Sequence, residues 1–241
     1  MNTLVFASKF AGKPRDDAGK QIMRRCLLPV VLAVVALGTT RARADATVEG
    51  RVLLPPPKPS ATATAHYKAT STTAGKADPP AAVVYLEGSF PPVSTNTTPV
   101  KLEQQNLQFV PALLPVRVGT LVQFPNLDNE FHNVMSYSKA KVFDLGRYRK
   151  DEVQPSVVFD KPGVVELGCE IHEHMRGTIL ILDTPYFTKT SFSGAYRLEH
   201  LPAGNYVLKA WVNSRTVFSQ PVELKDGTVV QVDFPAAISA K

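Results

Sequence analysis

Apolar and polar residues alternate along most of this 241-residue chain, in short segments that Gly, Pro, Asn and Asp interrupt. A period of two residues is typical of β-strands with one buried face, and no segment sustains the 3.6-residue period of a helix. Asp226-Gly227 is typical of a hairpin turn and predicts pairing between its two flanking segments. The pattern therefore indicates an all-β protein. The strands are predicted at 47–54, 81–87, 107–111, 113–118, 120–125, 132–138, 141–145, 156–160, 163–169, 177–183, 194–199, 205–213, 216–224 and 228–234.

The first 44 residues are predicted to be a signal peptide. Arg24-Arg25 precede an apolar run over 26–37, and Ala42-Arg43-Ala44 forms a small-x-small cleavage site. A basic start, a short apolar core and such a site direct a chain to secretion. The apolar run is too short to span a bilayer as a mature helix. We expect a periplasmic protein with no membrane span in its mature form, and Met23 is an alternative start of translation.

Removal of this segment changes the charge balance of the protein. The chain has 27 Lys and Arg against 21 Asp and Glu, and residues 1–44 contain eight of the former and two of the latter. Residues 45–241 therefore have 19 of each and carry no net charge. Because nucleic-acid binding needs a basic face on the mature protein, we expect no nucleic-acid partner.

Cys169 is the one cysteine that remains after the predicted cleavage. A single cysteine in an exported protein is a reactive thiol, half of an intermolecular disulfide or a metal ligand. The run 169–175, Cys-Glu-Ile-His-Glu-His-Met, places imidazoles and a thioether close behind the thiol. A thiolate, two imidazoles and a weak axial thioether are the ligands of blue-copper electron-transfer sites. The candidate metal ligands are His132, Cys169, His172 and Met175.

The region 107–183 resembles the cupredoxins, and the amicyanins among them most closely. The resemblance lies in 118–126 (Val-Gly-Thr-Leu-Val-Gln-Phe-Pro-Asn), 131–134 (Phe-His-Asn-Val), the spacing Cys169-x2-His172-x2-Met175 and Arg176-Gly177. It implies a Greek-key β-sandwich that binds one type 1 copper ion through the four candidate ligands. It also implies electron transfer through His172 to a redox protein partner, a dehydrogenase or a cytochrome.

A second part of the chain resembles the carboxypeptidase-regulatory or transthyretin-like β-sandwich. The matching residues are Glu49-Gly-Arg-Val52, Ala82-Val-Val-Tyr-Leu86 and the pattern from Ser193 to Trp211. The layout of the chain also resembles bacterial methylamine utilisation proteins, which implies an association with amine oxidation. That resemblance rests on 109–111, 124–126, 162–165, 167–175 and 183–187.

These resemblances divide the chain into four predicted regions. After the signal peptide, 45–100 contributes early sandwich strands with Pro-, Thr- and Ala-rich flexible loops at 55–80 and 89–100. A cupredoxin-like copper domain follows at 101–184, and 185–241 adds carboxypeptidase-regulatory-like strands. About four strands give a thin core. The strands at 47–54 and 81–87 are therefore expected to complete this sandwich around an inserted copper domain. The alternative is that they pair with the copper domain.

The sequence thus predicts a type 1 copper protein that carries single electrons and is not an enzyme by itself. A copper storage or delivery protein and a metal-free binding module stay open as alternatives. His174 is expected to be a solvated loop residue; as a ligand it would make the site more polar and type-2-like. Glu170 and Glu173 are expected to favour Cu(II) and to lower the reduction potential.

Overall fold

The computed structural model describes residues 45–56, 79–90 and 98–236. These residues form seventeen β-strands and no helix, so the predicted all-β sandwich class is confirmed. No helix in this part of the chain is long and apolar enough to cross a membrane. The predicted signal peptide and most of the two predicted loops lie outside the described residues. The strands are β1 (Ala46–Arg51), β2 (Val83–Glu87), β3 (Val100–Lys101), β4 (Glu103–Gln105), β5 (Gln108–Val110), β6 (Leu113–Arg117), β7 (Thr120–Gln123), β8 (His132–Ser138), β9 (Lys141–Tyr148), β10 (Ser156–Phe159), β11 (Gly163–Gly168), β12 (Arg176–Leu182), β13 (Phe187–Lys189), β14 (Ala195–Leu201), β15 (Gly204–Asn213), β16 (Thr216–Leu224) and β17 (Val229–Gln231).

Each predicted segment overlaps one of these strands. The alternation of apolar and polar residues does not identify β3, β4 and β13, which have two or three residues each. β9 extends three residues beyond its predicted end, to Tyr148. Strand positions therefore follow from a period of two wherever a strand is long enough to show it.

The terminal sandwich, as we call β1, β2 and β13–β17, consists of two facing sheets. One sheet has the order β14-β1-β17 and the other β13-β2-β15-β16. β1 lies between an antiparallel β14 and a parallel β17, and β2 lies between β13 and β15. Side chains from both sheets form one apolar core that includes Val48, Leu86 and Leu208. The two early strands thus share sheets with strands from the end of the chain, while the division into separately folding domains stays a prediction.

The predicted hairpin at Asp226-Gly227 is wrong. A turn is present there, with Gly227 at a φ of 73°, but β16 and β17 do not pair. β17 crosses to the opposite sheet, and beyond it Val232 and Phe234 donate backbone hydrogen bonds to β1 carbonyls at 2.9 and 2.8 Å. The crossing occupies an edge of β1, and both of these side chains are buried in the core.

The central sandwich, as we call β3–β12, holds the residues predicted to bind metal. Its larger sheet has the order β6-β12-β11-β8-β9, and a three-stranded sheet has the order β10-β7-β3. β4 and β5 form a separate hairpin. The core between the sheets contains three fully buried phenylalanines, Phe109, Phe124 and Phe159, together with Cys169 and Met175.

A third apolar cluster joins the two sandwiches. Leu180 and Leu182 of β12 pack against Val83 of β2 and Trp211 of β15. Ile179 and Ile181 lie on the opposite face of β12 and enter the central core. Since side chains alternate across a strand, β12 supports the central core with one face and the contact between sandwiches with the other.

Candidate metal centre

His132 is the first residue of β8 and its side chain is completely buried. Alternation along the strand places His132, Val134 and Ser136 on the buried side. β9 pairs with β8 and sets His132 opposite Tyr148. A strand in the middle of the sandwich therefore fixes the position of the first candidate ligand.

The other candidate ligands lie on the loop that connects β11 to β12. Cys169 directly follows β11 and is buried, whereas His172 is half-buried. The amide of Met175 donates a hydrogen bond of 2.9 Å to the carbonyl of His172, which closes a tight turn. Because β11 and β12 pair along their length, both ends of this short loop are held by the sheet.

The structure brings His132, Cys169 and His172 together. Their donor atoms all lie within 4.8 Å of one another. The Nδ1 atoms of the two histidines are 3.1 Å apart, and the sulfur of Cys169 is 3.8 Å from Nδ1 of His172. A trigonal metal about 2.0–2.1 Å from each nitrogen and about 2.3 Å from the sulfur needs separations of about 3.5 Å and about 3.8 Å. The two separations that involve His172 are therefore within a few tenths of an ångström of those for one trigonal ion, and all three donors lie within 4.8 Å of one another.

Asp128 contacts the far side of the His132 ring. Its Oδ2 lies 2.9 Å from Nε2 of His132. An ionised carboxylate only accepts hydrogen bonds, so Nε2 carries the proton and Nδ1 of a neutral ring keeps its lone pair for a metal. Burial raises the pKa of Asp128, but hydrogen bonds from the amides of Leu107 and Asn106 and from His132 outweigh burial and hold that pKa below its usual value.

The electrostatics of the site shift the pKa of all three candidate donors. Burial raises the pKa of Cys169, but hydrogen bonds from His132 and from the amides of Asn133, Ile171 and His172 lower it overall. Burial and the positive charges of the neighbouring histidines lower the pKa of His172. For His132 burial lowers the pKa, yet hydrogen bonds to Cys169 and Asp128 leave it raised. These shifts favour the metal-binding forms of Cys169 and His172, whereas the raised pKa of His132 favours its protonated form in the metal-free site.

Asn133 ties β8 to the cysteine loop. Its side-chain oxygen accepts a hydrogen bond of 3.3 Å from the amide of Glu170. Its amide nitrogen donates to the carboxylate of Asp144 at 2.6 Å and to the carbonyl of Gly146 at 3.3 Å. The residue after one candidate ligand thus holds the residue after another, which limits relative movement of the two.

The remaining candidate, Met175, is completely buried and belongs to the same apolar cluster as Cys169. Its role as an axial ligand stays a prediction. His174 is exposed, with its ring centre 6.1 Å from that of His172. Within the described residues, the cluster of histidine, cysteine and carboxylate donors consists of His132, Cys169 and His172, without His174.

The structure adds one residue that the sequence pattern did not identify, Asp128. It lies four residues before His132, in the loop between β7 and β8, and no periodicity marks it. The sequence alone shows only that an aspartate lies near a candidate histidine. The contact itself depends on how the loop folds.

No protein-family model matches this chain, and no curated protein sequence matches it. Solved structures that match it in fold include cupredoxins and a copper enzyme. The purple cupredoxin from Nitrosopumilus maritimus is 22% identical over 34% of this chain and 99% of its own, with a TM-score of 0.31. The reduced form of an amicyanin variant is 18% identical over 41% of this chain and 98% of its own, with a TM-score of 0.33.

The copper-containing nitrite reductase NirK from Thermus scotoductus SA-01 is 23% identical over 40% of this chain, with a TM-score of 0.35. This chain spans a quarter of the length of that reductase. The function of this chain therefore has to be inferred from its own residues, not from the activities of these proteins.

Proposed function

We propose that this protein binds one copper ion through His132, Cys169 and His172, with Met175 as a weak axial ligand, and that it carries single electrons. The convergence of one ring nitrogen from each of two histidines and one cysteine sulfur within 4.8 Å carries the proposal. Thiolate and imidazole together suit copper, and two histidines with one cysteine form the trigonal set of blue-copper sites.

The chain supplies a rigid and largely dry frame for such a site. A bound copper ion would supply the one-electron couple. His132 and Cys169 are buried and lie on or beside paired strands, so they exclude water and keep their positions. Asn133 bridges their two segments. A frame that does not rearrange keeps the reorganisation energy of electron transfer small.

We infer that electrons leave through His172, because it is the half-buried ligand while His132 is fully covered. Phe131 and Ile171, which precede the two histidine ligands, are 40% and 36% exposed. A redox protein, either a dehydrogenase or a cytochrome, is the proposed partner at this surface, and amine oxidation is the proposed pathway from the sequence resemblance. Since residues 45–241 carry no net charge, we expect association to depend weakly on salt.

A carrier fits this site better than an enzyme does. Catalytic metal sites keep an open coordination position for water or substrate. Three ligands with Met175 in the axial position would leave no such opening. A carrier should therefore show no turnover of small amines on its own, and turnover in the purified copper form would contradict this part of the proposal.

The test is a titration of the purified protein with Cu(II), followed by visible absorption and electron paramagnetic resonance. An intense blue charge-transfer band with narrow copper hyperfine splitting is expected, and Cys169→Ser should abolish it. His172→Ala should also remove or alter the band. His174→Ala is the matched control, since His174 is an exposed histidine on the same loop, and it should leave the band unchanged.

Voltammetry separates the carrier from the storage or delivery protein. A reversible wave supports electron transfer, whereas tight Cu(I) binding without a reversible wave supports storage or delivery. A pale copper signal that persists in Cys169→Ser, or no copper binding, would contradict the proposed site.

We also propose that the mature protein is periplasmic. Cleavage after Ala44 would make Asp45 its first residue. Sequencing of the amino terminus of the protein recovered from the periplasm should give Asp45. Recovery of the uncleaved chain from the cytoplasm alone would contradict this location.

A further inference from the structure

The carboxylate of Asp128 has hydrogen bonds to two other residues besides His132. Its Oδ2 lies 2.9 Å from Nε2 of His132 and also accepts a hydrogen bond of 2.9 Å from the amide of Leu107. Its Oδ1 accepts one of 2.8 Å from the amide of Asn106. The side chain is 13% exposed. One largely buried carboxylate therefore connects a candidate metal ligand to a hairpin about twenty residues upstream in the chain.

The hairpin presents two amides to this carboxylate because of its turn. Asn106 and Leu107 join β4 to β5 and have φ angles of 53° and 58°. Positive φ at both central positions defines the tight turn that favours Asn and Gly, and a leucine there is strained. Charge-assisted hydrogen bonds to Asp128 offset that strain. The hairpin and the carboxylate thus hold each other in place.

The loop that carries Asp128 is itself fixed. The amide of Asp128 donates to the side-chain oxygen of Asn126 at 2.9 Å. The side-chain nitrogen of Asn126 donates to the carbonyls of Glu130 and Tyr148 at 3.0 and 2.9 Å. The carboxylate is therefore aimed at His132 by a network that ends on β9, the neighbour of β8.

The carboxylate does not belong to the ligand set. It contacts Nε2, whereas Nδ1 of the same ring faces His172. Among the three candidate donors, Asp128 therefore has its hydrogen bond with His132. A carboxylate that accepts the outer ring proton of a metal-bound histidine fixes the tautomer and makes the imidazole a stronger donor.

We infer that Asp128 is a positioning residue that fixes the His132 tautomer and lowers the reduction potential of the copper site. The inference rests on the proposed copper function and deepens it. The more basic imidazole and the nearby negative charge both stabilise Cu(II) more than Cu(I). Burial strengthens the effect, because the field of a charge is screened less inside the protein than at its surface.

The tautomer is tested first and needs no copper. In the copper-free wild-type protein, at a pH where the His132 ring is neutral, its long-range nitrogen–proton NMR spectra should show the ring protonated at Nε2. In Asp128→Asn the ring should become a mixture of tautomers. A wild-type ring protonated at Nδ1, or a ring unaffected by Asp128→Asn, would overturn the positioning role.

The potential is then measured by voltammetry on the copper-loaded protein. Asp128→Asn keeps the shape of the side chain but removes its charge. We expect Cu(II) affinity to fall about tenfold, as is usual for a lost outer-shell partner, with a smaller change for Cu(I). If the Cu(I) affinity is unchanged, the potential rises by about 59 mV. A blue, redox-active wild type with an unshifted Asp128→Asn potential would overturn the inference and leave the proposed function intact.

Two control variants separate the carboxylate from general effects. Asp160→Asn removes the same charge from an exposed ion pair with Lys141. Lys141 lies opposite the last residue of β8, about 20 Å from His132 if each residue of the strand spans about 3.3 Å. This variant should not change the reduction potential. Asn106→Ala weakens the hairpin turn but keeps the contact between Asp128 and His132. It should lower the melting temperature without a shift in potential. A shift equal to that of Asp128→Asn in either control would overturn the inference.

Discussion

The two sandwiches share an architecture but differ in what they bury. Among the described residues, the terminal sandwich and the connection that leads into β13 bury three threonines, Thr47, Thr184 and Thr190, as their polar side chains. The central sandwich buries a larger and more varied polar set, with four of its five members 1% exposed or less. These residues are Gln104, Asn126, His132, Asn133 and Ser136.

Burial of polar groups is unfavourable unless they are hydrogen-bonded. In the central sandwich these groups form a network around His132 and Cys169: Asn126 fixes the loop that holds Asp128, and Asn133 holds the cysteine loop. The terminal sandwich has no comparable network in the part of the chain that the structure describes. The comparison indicates that the terminal sandwich is a scaffold, while the central one maintains a polar core for a site.

Deletion of residues 185–241 should have the largest effect on the difference between the two sandwiches. The deletion removes five of the seven strands of the terminal sandwich. β1 and β2 then lose their partners and should become sensitive to protease, as limited proteolysis with mass spectrometry would show. The central sandwich should keep its Cys169-dependent copper band.

Continued protection of β1 and β2 would instead mean that they pair with the central sandwich when their partners are absent. If the copper band is lost and β1 and β2 also lose their protection, the two sandwiches fold as one unit. The contact of Leu180 and Leu182 with Trp211 makes the solubility of the truncated chain a necessary check.

Substitution of one buried leucine in each core should have the next largest effect. Leu208 in the terminal core and Leu167 in the central core are 0% and 2% exposed. Leu→Ala at either position should lower the free energy of unfolding by about 2–5 kcal/mol. Only Leu167→Ala should also shift the copper absorption, since Leu167 packs in the cluster that contains Cys169.

Chemical denaturation followed by circular dichroism measures the first effect, and visible absorption measures the second. An equal spectral change in Leu208→Ala would contradict the view that the terminal sandwich is only a scaffold.

The sequence predicts the scaffold better than it predicts the network. Alternation identifies every strand of four or more residues, and the composition of 169–175 with His132 identifies donors that the fold brings together. Both signals are local or have a simple repeat. The path of β17 is not local: a turn is present at Gly227, yet β17 pairs with β1 and not with β16.

Asp128 shows why the rest of the site could not be predicted. The hydrogen-bond partners of its carboxylate are Asn106 and Leu107, in the turn between β4 and β5, and His132, at the start of β8. Leu107 is an unfavourable residue for its own turn, so turn propensity gives no hint of the geometry. Such contacts depend on tertiary structure that overrides local preference.

Two buried tyrosines, one in each sandwich, allow the pH dependence of stability to be compared, with a smaller expected effect. The hydroxyl of Tyr196 in the terminal sandwich donates to the carbonyl of Val232 at 2.6 Å, and that of Tyr148 in the central sandwich donates to the carbonyl of Phe124 at 2.7 Å. Burial raises the pKa of both far above the ordinary value. Their stabilisation is therefore complete below about pH 10, the usual pKa of the unfolded state, and is lost as pH rises above it.

Tyr→Phe at either position should lower stability at neutral pH by about 1–3 kcal/mol, because a buried carbonyl loses a partner. The variants should lose less additional stability than wild type between about pH 10 and pH 12. Denaturation series at several pH values check both points. Of the two, only Tyr148→Phe should perturb the copper spectrum, since Tyr148 lies opposite His132; a stability curve unchanged by either substitution would contradict the burial argument.

The smallest expected effects come from surface ion pairs, one in each sandwich. Arg197 pairs with Glu49 in the terminal sandwich, and Arg147 pairs with Glu170 at 2.6 Å beside the cysteine loop. Exposed pairs contribute about 0–1 kcal/mol, so Arg→Gln at either position should barely change the melting temperature. Arg147→Gln should nevertheless lower the reduction potential, because it leaves the negative charge of Glu170 uncompensated next to Cys169.

Glu173→Gln should raise the reduction potential, because it removes a negative charge from the cysteine loop. Arg197→Gln should leave the potential unchanged. Voltammetry at low and high salt checks all three variants, since solvent and salt screen exposed charges. Shifts that vanish at high salt would show that loop charges act only through solvent. Unchanged potentials at low salt in Arg147→Gln and Glu173→Gln would contradict any role for the loop charges. A shift in Asp128→Asn that persists at high salt would then show that the buried carboxylate, and not the surface of the loop, sets the potential of the site.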